Sequence, residues 1–429
     1  MRPTETSVVT EPVASPGVGR FVRGSLGSGA GVLARAAGAL LLNKLLAVYG
    51  GPGGLTLLAH FQNLMALFTT LPNDGTHVGV VKYLAPLRPE SGRYRAWLGA
   101  AIALNGAAML VGLAALLLMP GPLVGMFQPT AGWLVLFGLG IVLLTAYALL
   151  VAVLLAAGRL RGYIGLTITL SLLGPAAVGA VLAAGGSATT ALLAYLLAQG
   201  ATLLPAWALA SRAGLLPSLG RRLSRKALWG LSRFLLMAVG LLLFGKAVDF
   251  AVREVLIRQF SLAQTDLWQA VAKLSDNYTM VMTAVMSSVY YPRLAALSAQ
   301  PAAQRAWVRT ALRLLVPLLA AGLTLLYGLR YWLLPLFFEA RFGAAASLLG
   351  PQLLGDWCRF VAWPLVMVLT AQARVGRYVA VQAASAVLYA GALALLLPRL
   401  GLLGAVWASA VRHALLLVWC GWYFRRFWR

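Results

Sequence analysis

Charged residues recur inside strongly apolar stretches of this sequence, and their spacing places several of them on shared helix faces. The groups are Lys246, Asp249 and Arg253; Lys273 and Asp276; and Asp356 and Arg359. Side chains three or four residues apart are neighbours on a helix. Because a charge held in hydrocarbon costs at least about 2.5–3.5 kcal/mol, these residues are predicted to form structural ion pairs or to line a watery cavity. We favour the cavity for the first two groups.

Basic side chains outnumber acidic ones in these stretches. Of the 35 Lys and Arg residues, eleven lie inside or at the edges of apolar stretches: Arg35, Lys44, Lys82, Arg233, Lys246, Arg253, Lys273, Arg293, Arg313, Arg359 and Arg412. The five acids there are Asp74, Asp249, Glu254, Asp276 and Asp356. Even with every acid paired, 11 − 5 = 6 cations remain. This excess suits an anion, above all a phosphate, which guanidinium groups bind in bidentate fashion.

Some of these residues have a simpler interpretation. For Arg35, Arg233, Arg293 and Arg412, near helix ends, we favour charges that reach out to the membrane interface. Trp268 and Tyr278 accompany Lys273 and Asp276 and could stack on sugar rings, whereas Tyr290 and Tyr291 fit packing or an interfacial belt at least as well. The predicted substrate-binding residues are Lys44, Lys82, Lys246, Arg253, Trp268, Lys273, Tyr278 and Arg359. The predicted ion-pair or coupling residues are Asp74, Asp249, Asp276 and Asp356.

Other chemistries lack support in the sequence. Gly240 to Ala247 nearly matches a phosphate-binding P-loop, but Ala247 stands where Ser or Thr should hold magnesium, and the segment is helical in pattern. His60, His77 and His413 are scattered, and Cys358 and Cys420 show no metal or disulfide spacing. We expect no catalytic residues, no metal, no cofactor and no nucleotide hydrolysis, so the protein is predicted not to be an enzyme.

The composition indicates that a membrane positions these charges. The 429 residues are 61% hydrophobic and 10% charged, whereas a soluble domain carries about 25% charged residues. Apolar runs fall at 30–49, 55–85, 96–118, 131–157, 162–184, 188–211, 232–257, 265–297, 307–335, 345–372, 377–397 and 401–424. Each can span a bilayer, which needs about 20 residues. The fold class is therefore predicted to be an all-α polytopic membrane protein with twelve transmembrane helices.

The loop charges predict a topology. With both termini in the cytoplasm, twenty basic residues fall in cytoplasmic segments and four in the opposite loops, as the positive-inside rule requires. This bias also accounts for the net charge of +25 without a nucleic-acid partner. The predicted divisions are a flexible cytoplasmic tail at 1–24, a six-helix bundle at 25–211, a basic linker at 212–231 and a second bundle at 232–429. Weak similarity between the halves favours a repeat.

Several stretches resemble the lipid-linked oligosaccharide flippases of the Wzx type. Residues 48–55, Phe61-Gln62-Asn63 and 79–83 resemble the opening of that family; Ser232-Arg233-Phe234, Trp268-Gln269 and 274–276 resemble its seventh and eighth helices, and 352–356 its tenth. The resemblance runs in order over nearly the whole chain from about residue 30. It implies membership of the multidrug/oligosaccharidyl-lipid/polysaccharide exporter superfamily, with two six-helix bundles around a central cavity. The charged cavity residues of the family would correspond to Lys82, Arg253, Asp276 and Asp356.

The implied function is translocation of an undecaprenyl-pyrophosphate-linked oligosaccharide, such as an O-antigen unit for lipopolysaccharide, across the bacterial inner membrane by alternating access. Polymerase and chain-length proteins of the same polysaccharide pathway would be partners. Three alternatives stay open: a cation-coupled multidrug antiporter of the same superfamily, a lipid II flippase, and a membrane glycosyltransferase or ligase. The cationic excess argues against the antiporter. Twelve rather than fourteen helices argue against the lipid II flippase, and the short loops argue against the transferase.

Overall fold

A computed structural model describes residues 18–218, 224–297, 300–372 and 374–425, and within them the chain is all-helical. These residues form twelve long helical segments: α1 (Val18–Tyr49), α2 (Gly54–Leu84), α3 (Gly92–Leu118), α4 (Ala131–Ala156), α5 (Leu160–Ala183), α6 (Ala188–Ala201 and Leu203–Arg212), α7 (Arg225–Leu241 and Ala247–Gln259), α8 (Leu262–Val285 and Tyr291–Ala296), α9 (Pro301–Gly328), α10 (Ala346–Ala371), α11 (Val375–Leu400) and α12 (Leu402–Tyr423). The short helices Pro120–Val124 and Arg330–Phe337 lie between them. The predicted all-α class is confirmed, and the predicted apolar runs overlap these segments one by one, except that the run 307–335 continues past α9 into the short helix Arg330–Phe337.

Ten of the twelve segments are long and apolar enough to cross a membrane on composition alone. The other two, α2 and α8, carry more polar side chains. Gln62 and Asn63 on α2, and Gln269, Lys273 and Asp276 on α8, all face the interior of the bundle, where they line a central cavity. These two helices have lower hydropathy because their polar side chains line the central cavity.

The helices pack as two six-helix bundles. In the first, α1 packs on α5, α5 on α6, and α2 on α3 and α4. Its buried centre is a ring cluster in which Trp133 stacks on Phe137 at 5.1 Å and Phe61 meets Phe137 edge-on at 5.7 Å. In the second, α12 packs on both α10 and α11, and α9 packs on α10. At Gly355 on α10, a side-chain Cβ would lie 2.9 Å from the Cα of Ala410, so only glycine permits this approach of α10 to α12.

The first part of α7 packs across the predicted boundary between the halves, against α2 and α3 of the first bundle. Gly79 makes room for it, since a Cβ there would lie 2.6 Å from Leu231. After Leu241 a π-helical turn, Leu242–Lys246, interrupts α7, and a second one, Met286–Tyr290, interrupts α8. Such turns often mark functional positions in helices. The P-loop-like residues 240–247 lie in this helix, as the sequence pattern predicted.

Two ends of the bundle matter for the site. We call the Gly53 end the region where the loop 50–53, the start of α8 and Arg341 meet, and the Arg374 end the region where Arg374 contacts Tyr423. Residues 18–24, which the sequence analysis assigned to the tail, continue α1 in the structure, and residues 1–17 lie outside the described residues. Part of the predicted linker, 219–223, also lies outside them.

Candidate functional site: a cationic central cavity

A central cavity of about 950 Å³ lies among α2, α7, α8, α10, α11 and α12. Five of these six helices come from the second bundle, and α2 is the contribution of the first. On α8 the lining begins at Trp268, two turns in from the Gly53 end. At the other extreme it reaches Thr370 in the last turn of α10 and Tyr378 in the first turn of α11. The cavity thus extends to the Arg374 end.

The lining is positively charged. Five basic side chains, Lys246, Arg253, Lys273, Arg359 and Arg412, face it together with two acidic ones, Asp249 and Asp276. The formal balance is 5 − 2 = +3. The remaining polar lining consists mainly of amides and hydroxyls, including Gln62, Asn63, Gln269, Gln352, Gln382, Ser385 and Ser409. Such a surface can bind an anionic group and hydrogen-bond to hydroxyl-rich rings around it.

Arg253 is held in place by neighbours on two helices, α2 and α8. Its Nε donates a hydrogen bond to Oε1 of Gln269 on α8 at 3.1 Å. On α2, the Asn63 amide, oriented with its oxygen toward the donors, accepts from Nη1 of Arg253 at 3.1 Å. The guanidinium lies 6.0 Å from the ring centre of Trp268. These contacts fix the plane of the guanidinium, which therefore presents a preorganised surface to an anion.

Lys273 and the two acids of the cavity take different positions. Lys273 donates to Oε1 of Gln62, joining α8 to α2 across the two bundles. Asp249 and Asp276 face the open volume of the cavity. Among the described residues, the ion pairs within 4.0 Å do not include either of these acids. Helical spacing therefore placed these charges on common faces without bringing the carboxylates into direct pairs.

Asp356 lies behind the cavity wall, 1% exposed. It accepts hydrogen bonds from Ser275 at 2.6 Å, from Gln352 at 3.0 Å and from the hydroxyl of Tyr278. Arg359 lies 3.2 Å from its other carboxylate oxygen and also donates to Thr279. The carboxylate thus binds α8 to α10 and holds Arg359 against the cavity. Tyr278, expected to contact sugar, is instead part of this buried cluster.

Two further predicted substrate-binding residues, Lys44 and Lys82, are not brought into the cavity. Lys44 donates to the carbonyl of Leu336 at 3.1 Å, beyond α9. Lys82 is exposed at the end of α2, 5.5 Å from the ring centre of Tyr83 and 5.8 Å from that of Phe234. The side chain of Asp74 lies outside the described residues. The sequence predicts where Lys44 and Lys82 lie along their helices. It does not predict the direction in which their side chains point.

Sequence reasoning missed several lining residues. Arg412, interpreted as an interfacial charge, and His413 face the cavity from α12, and Tyr378 and Tyr389 face it from α11. Arg412 donates from Nε to the hydroxyl of Ser385 at 2.7 Å. Ser385 and Arg412 are 27 residues apart, so no spacing within one helix predicts their contact. It becomes evident only from the packing of α11 on α12. Among the described residues no group of three metal-binding side chains occurs.

A second polar cluster joins the two bundles at the Gly53 end. Asp266, 1% exposed on α8, accepts hydrogen bonds from the backbone N–H of Gly53 and from the backbone and side chain of Thr56, each at 2.8 Å. Arg341 donates to the carbonyl of Ala47 at 2.8 Å and lies 3.8 Å from Asp266. Gly53 has a φ of +92°, and a Cβ there would lie 2.6 Å from Leu262. These bonds link the two bundles at this end.

Comparisons with known proteins agree with the fold. No family model matches the chain. It is 28% identical over 410 residues to the lipid III flippases of Escherichia coli (strain K12) and Shigella flexneri, covering 93% of this chain and 97% of each relative.

Solved structures extend the comparison. The lipid II flippase MurJ in an inward closed conformation has a TM-score of 0.72 at 11% identity, covering 94% of this chain and 87% of that one. An inward-facing MATE family multidrug transporter of the MOP superfamily has a TM-score of 0.64 at 14% identity, covering 92% and 95%. The chain therefore has the fold of these flippase and transporter structures, and over nearly its whole length its sequence is similar to the lipid III flippases.

Proposed function

We propose that the protein is a flippase that moves an undecaprenyl-pyrophosphate-linked oligosaccharide from the cytoplasmic to the periplasmic leaflet of the bacterial inner membrane. The observation that carries the proposal is the charge of the cavity, five basic side chains against two acidic ones. Whole-length similarity to lipid III flippases supports a lipid-linked substrate. O-antigen and other polysaccharide repeat units belong to the same chemical class, and polymerase and chain-length proteins would act on the product.

The mechanism we propose is alternating access. The positive-inside bias favours a cytoplasmic Arg374 end. With that orientation the cavity, which reaches this end, would face inward, and the Asp266 cluster would hold the other end together. The pyrophosphate would meet Arg253, Lys273, Arg359 and Arg412, with the sugars among the amides and Trp268. Rocking of the two bundles, 25–211 and 232–429 joined by the linker 212–231, would then open the Gly53 end.

The membrane potential would favour this direction of transport. Moving a negative charge outward is favourable by about 2.3 kcal/mol per charge per 100 mV. If a cation returns, Asp249 and Asp276 are its candidate carriers because they face the cavity. Asp356 is a weaker candidate, since four side chains from α8 and α10 already saturate it.

A cation-coupled multidrug antiporter is less compatible with the cavity, because five basic groups would repel a cationic drug. A lipid II flippase shares the pyrophosphate-linked lipid chemistry, so charge alone does not separate it from the main proposal. The share of each relative that this chain covers favours the main proposal: it is 97% for the lipid III flippases and 87% for the MurJ chain.

The test is reconstitution of the purified protein in liposomes that carry a fluorescent lipid-linked oligosaccharide in both leaflets. A membrane-impermeant quencher reports exchange between the leaflets. We expect rapid exchange of the pyrophosphate-linked oligosaccharide, and none of a neutral glycolipid with the same sugars. Lipid II is the second substrate; faster exchange of lipid II would favour that alternative. Protein that moves neither pyrophosphate lipid but extrudes a cationic dye would overturn the proposal.

A further inference from the structure

A second cavity, of about 310 Å³, lies between α11 and α12. Ala380, Ala384 and Leu388 line it from α11, and Leu415 and Trp419 from α12. We call this the α11–α12 groove. Arg377 lines its end toward Arg374. From Arg377 to Leu388 the groove follows α11 for about 16 Å, at about 1.5 Å per residue. Ala384, Leu388 and Leu415 are exposed, so in a membrane the groove opens toward hydrocarbon.

The groove and the central cavity share a wall. Val381, Ser385, Arg412 and Leu416 line both spaces. Arg412 stands at the junction, with its Nε bonded to Ser385 and its guanidinium 5.2 Å from the ring centre of Tyr389. Among the described residues, no hydrogen bond engages its two terminal nitrogens. A cation therefore stands where an apolar channel open to lipid meets a polar chamber.

We infer that the α11–α12 groove holds the first part of the polyprenyl chain of the substrate, with the adjoining phosphate at Arg412. This inference rests on the proposed function. The substrate carries an apolar chain joined to an anionic head group. The apolar groove matches the chain, and the positively charged cavity that adjoins it matches the head group. The apolar groove lining offers a sugar few hydrogen-bond partners, whereas the central cavity offers many. The chain would thus enter between two helices of the second bundle, and not through a gap between the bundles.

Direct labelling tests the position of the chain. p-Benzoylphenylalanine in place of Leu415 puts a photoreactive group in the groove. The same residue in place of Val418, which is exposed on α12 outside the groove, is the matched control. With radiolabelled lipid-linked oligosaccharide in the liposomes, we expect about tenfold more labelling at position 415 than at 418, which corresponds to about 1.4 kcal/mol of preference. Equal labelling would overturn the inference.

A phospholipid from the bilayer is the competing occupant. Radiolabelled phosphatidylglycerol is therefore tested at position 415 with and without excess unlabelled substrate. The inference predicts that the substrate displaces any phospholipid label. Phospholipid labelling that resists excess substrate would show that the groove holds bulk lipid, and would overturn the inference.

Filling the groove tests its use in transport. Ala384→Phe places a ring in the groove, whereas Ala390→Phe places the same ring on an exposed part of α11 outside it. We expect Ala384→Phe to slow exchange of the full substrate about tenfold while a short-chain analogue with the same pyrophosphate and sugars still binds the cavity. Equal exchange rates for the two variants would contradict the inference that the groove holds the polyprenyl chain, but would leave the proposed function unaffected. Wild-type protein that exchanges no lipid-linked oligosaccharide would overturn both.

Discussion

Asp266 on α8 accepts a hydrogen bond at 2.8 Å from the backbone N–H of Gly53, 213 residues earlier in the chain. Thr56 adds two more donors to the same carboxylate, each at 2.8 Å. The contact joins the turn between α1 and α2 to the start of α8, so it links the two bundles at the Gly53 end. Opening of the bundles at this end would break this contact.

Asp266→Asn should therefore weaken closure of the Gly53 end. The amide keeps one acceptor oxygen and turns an NH2 group toward the remaining donors, and an unsatisfied buried donor costs about 1–3 kcal/mol. Spin labels at Tyr49→Cys and Ala263→Cys, with Cys358 and Cys420 replaced by Ala, report the distance across this end. We expect longer distances in the variant. Glu339→Gln, at the exposed pair with Arg341, is the control and should change little; equal distances in all three proteins would contradict the closing role.

Arg253→Ala should reduce exchange of the lipid-linked oligosaccharide at least about tenfold, because a cavity cation contacting a phosphate contributes about 1.5–3 kcal/mol. Arg253→Lys should recover only part of the rate, since an ammonium lacks the planar pair of donors. The measurement is leaflet exchange in liposomes. Arg258→Ala is the control on the same helix, since Arg258 is exposed and paired with Glu254. Full activity of Arg253→Ala would remove Arg253 from the site.

Lys82→Ala should reduce exchange less than Arg253→Ala. The sequence analysis expected Lys82 in the cavity, but the structure places it outside, near the rings of Tyr83 and Phe234. Its cation–π contacts are exposed and contribute about 0.5–1 kcal/mol. Exchange rates of the two variants, normalised to the amount of protein inserted, check this order. An equal or larger loss in Lys82→Ala would show that the head group contacts the end of α2.

Gly355→Ala should destabilise the protein by about 1–3 kcal/mol, as overpacking does. The new methyl would lie 2.9 Å from the Cα of Ala410 and would push α10 away from α12. Thermal unfolding of the purified protein in detergent measures the change. At Gly391 on α11 a Cβ meets nothing within 4 Å, so Gly391→Ala is the control and should not lower the unfolding temperature. An unchanged unfolding temperature for Gly355→Ala would mean that α10 and α12 can move apart at little energetic cost.

Asp356→Asn should lower the unfolding temperature, whereas Asp276→Asn should not. Asp356 is buried and serves four side chains, so the substitution leaves polar partners unsatisfied at about 1–3 kcal/mol. Asp276 faces the open cavity, where water replaces lost contacts. The same unfolding assay compares both variants with the wild type. An unchanged Asp356→Asn protein would mean that the cluster does not stabilise the fold.

Much of the fold was predictable from hydropathy. The run 131–157 corresponds to Ala131–Ala156 and the run 345–372 to Ala346–Ala371, because a spanning helix needs a long apolar segment and polar loops end it. The site was only partly predictable. Arg253, Lys273 and Arg359 were identified because charge in an apolar segment is costly. Arg412 was assigned to the interface and Lys44 to the cavity, because a single helix pattern does not tell which neighbour a side chain will face.

The π-helical turn Leu242–Lys246 ties the cavity to the count of residues in α7. The part of α7 before this turn is packed on α2 and α3, and the part after it presents Asp249 and Arg253 to the cavity. Each residue rotates a helix by about 100°. Deleting a single leucine from the turn would leave hydropathy and topology unchanged, yet it would swing both charges by more than a quarter turn. Which side chains of α7 face the cavity therefore depends on the exact number of residues before them. Mean hydropathy over the segment does not reveal this.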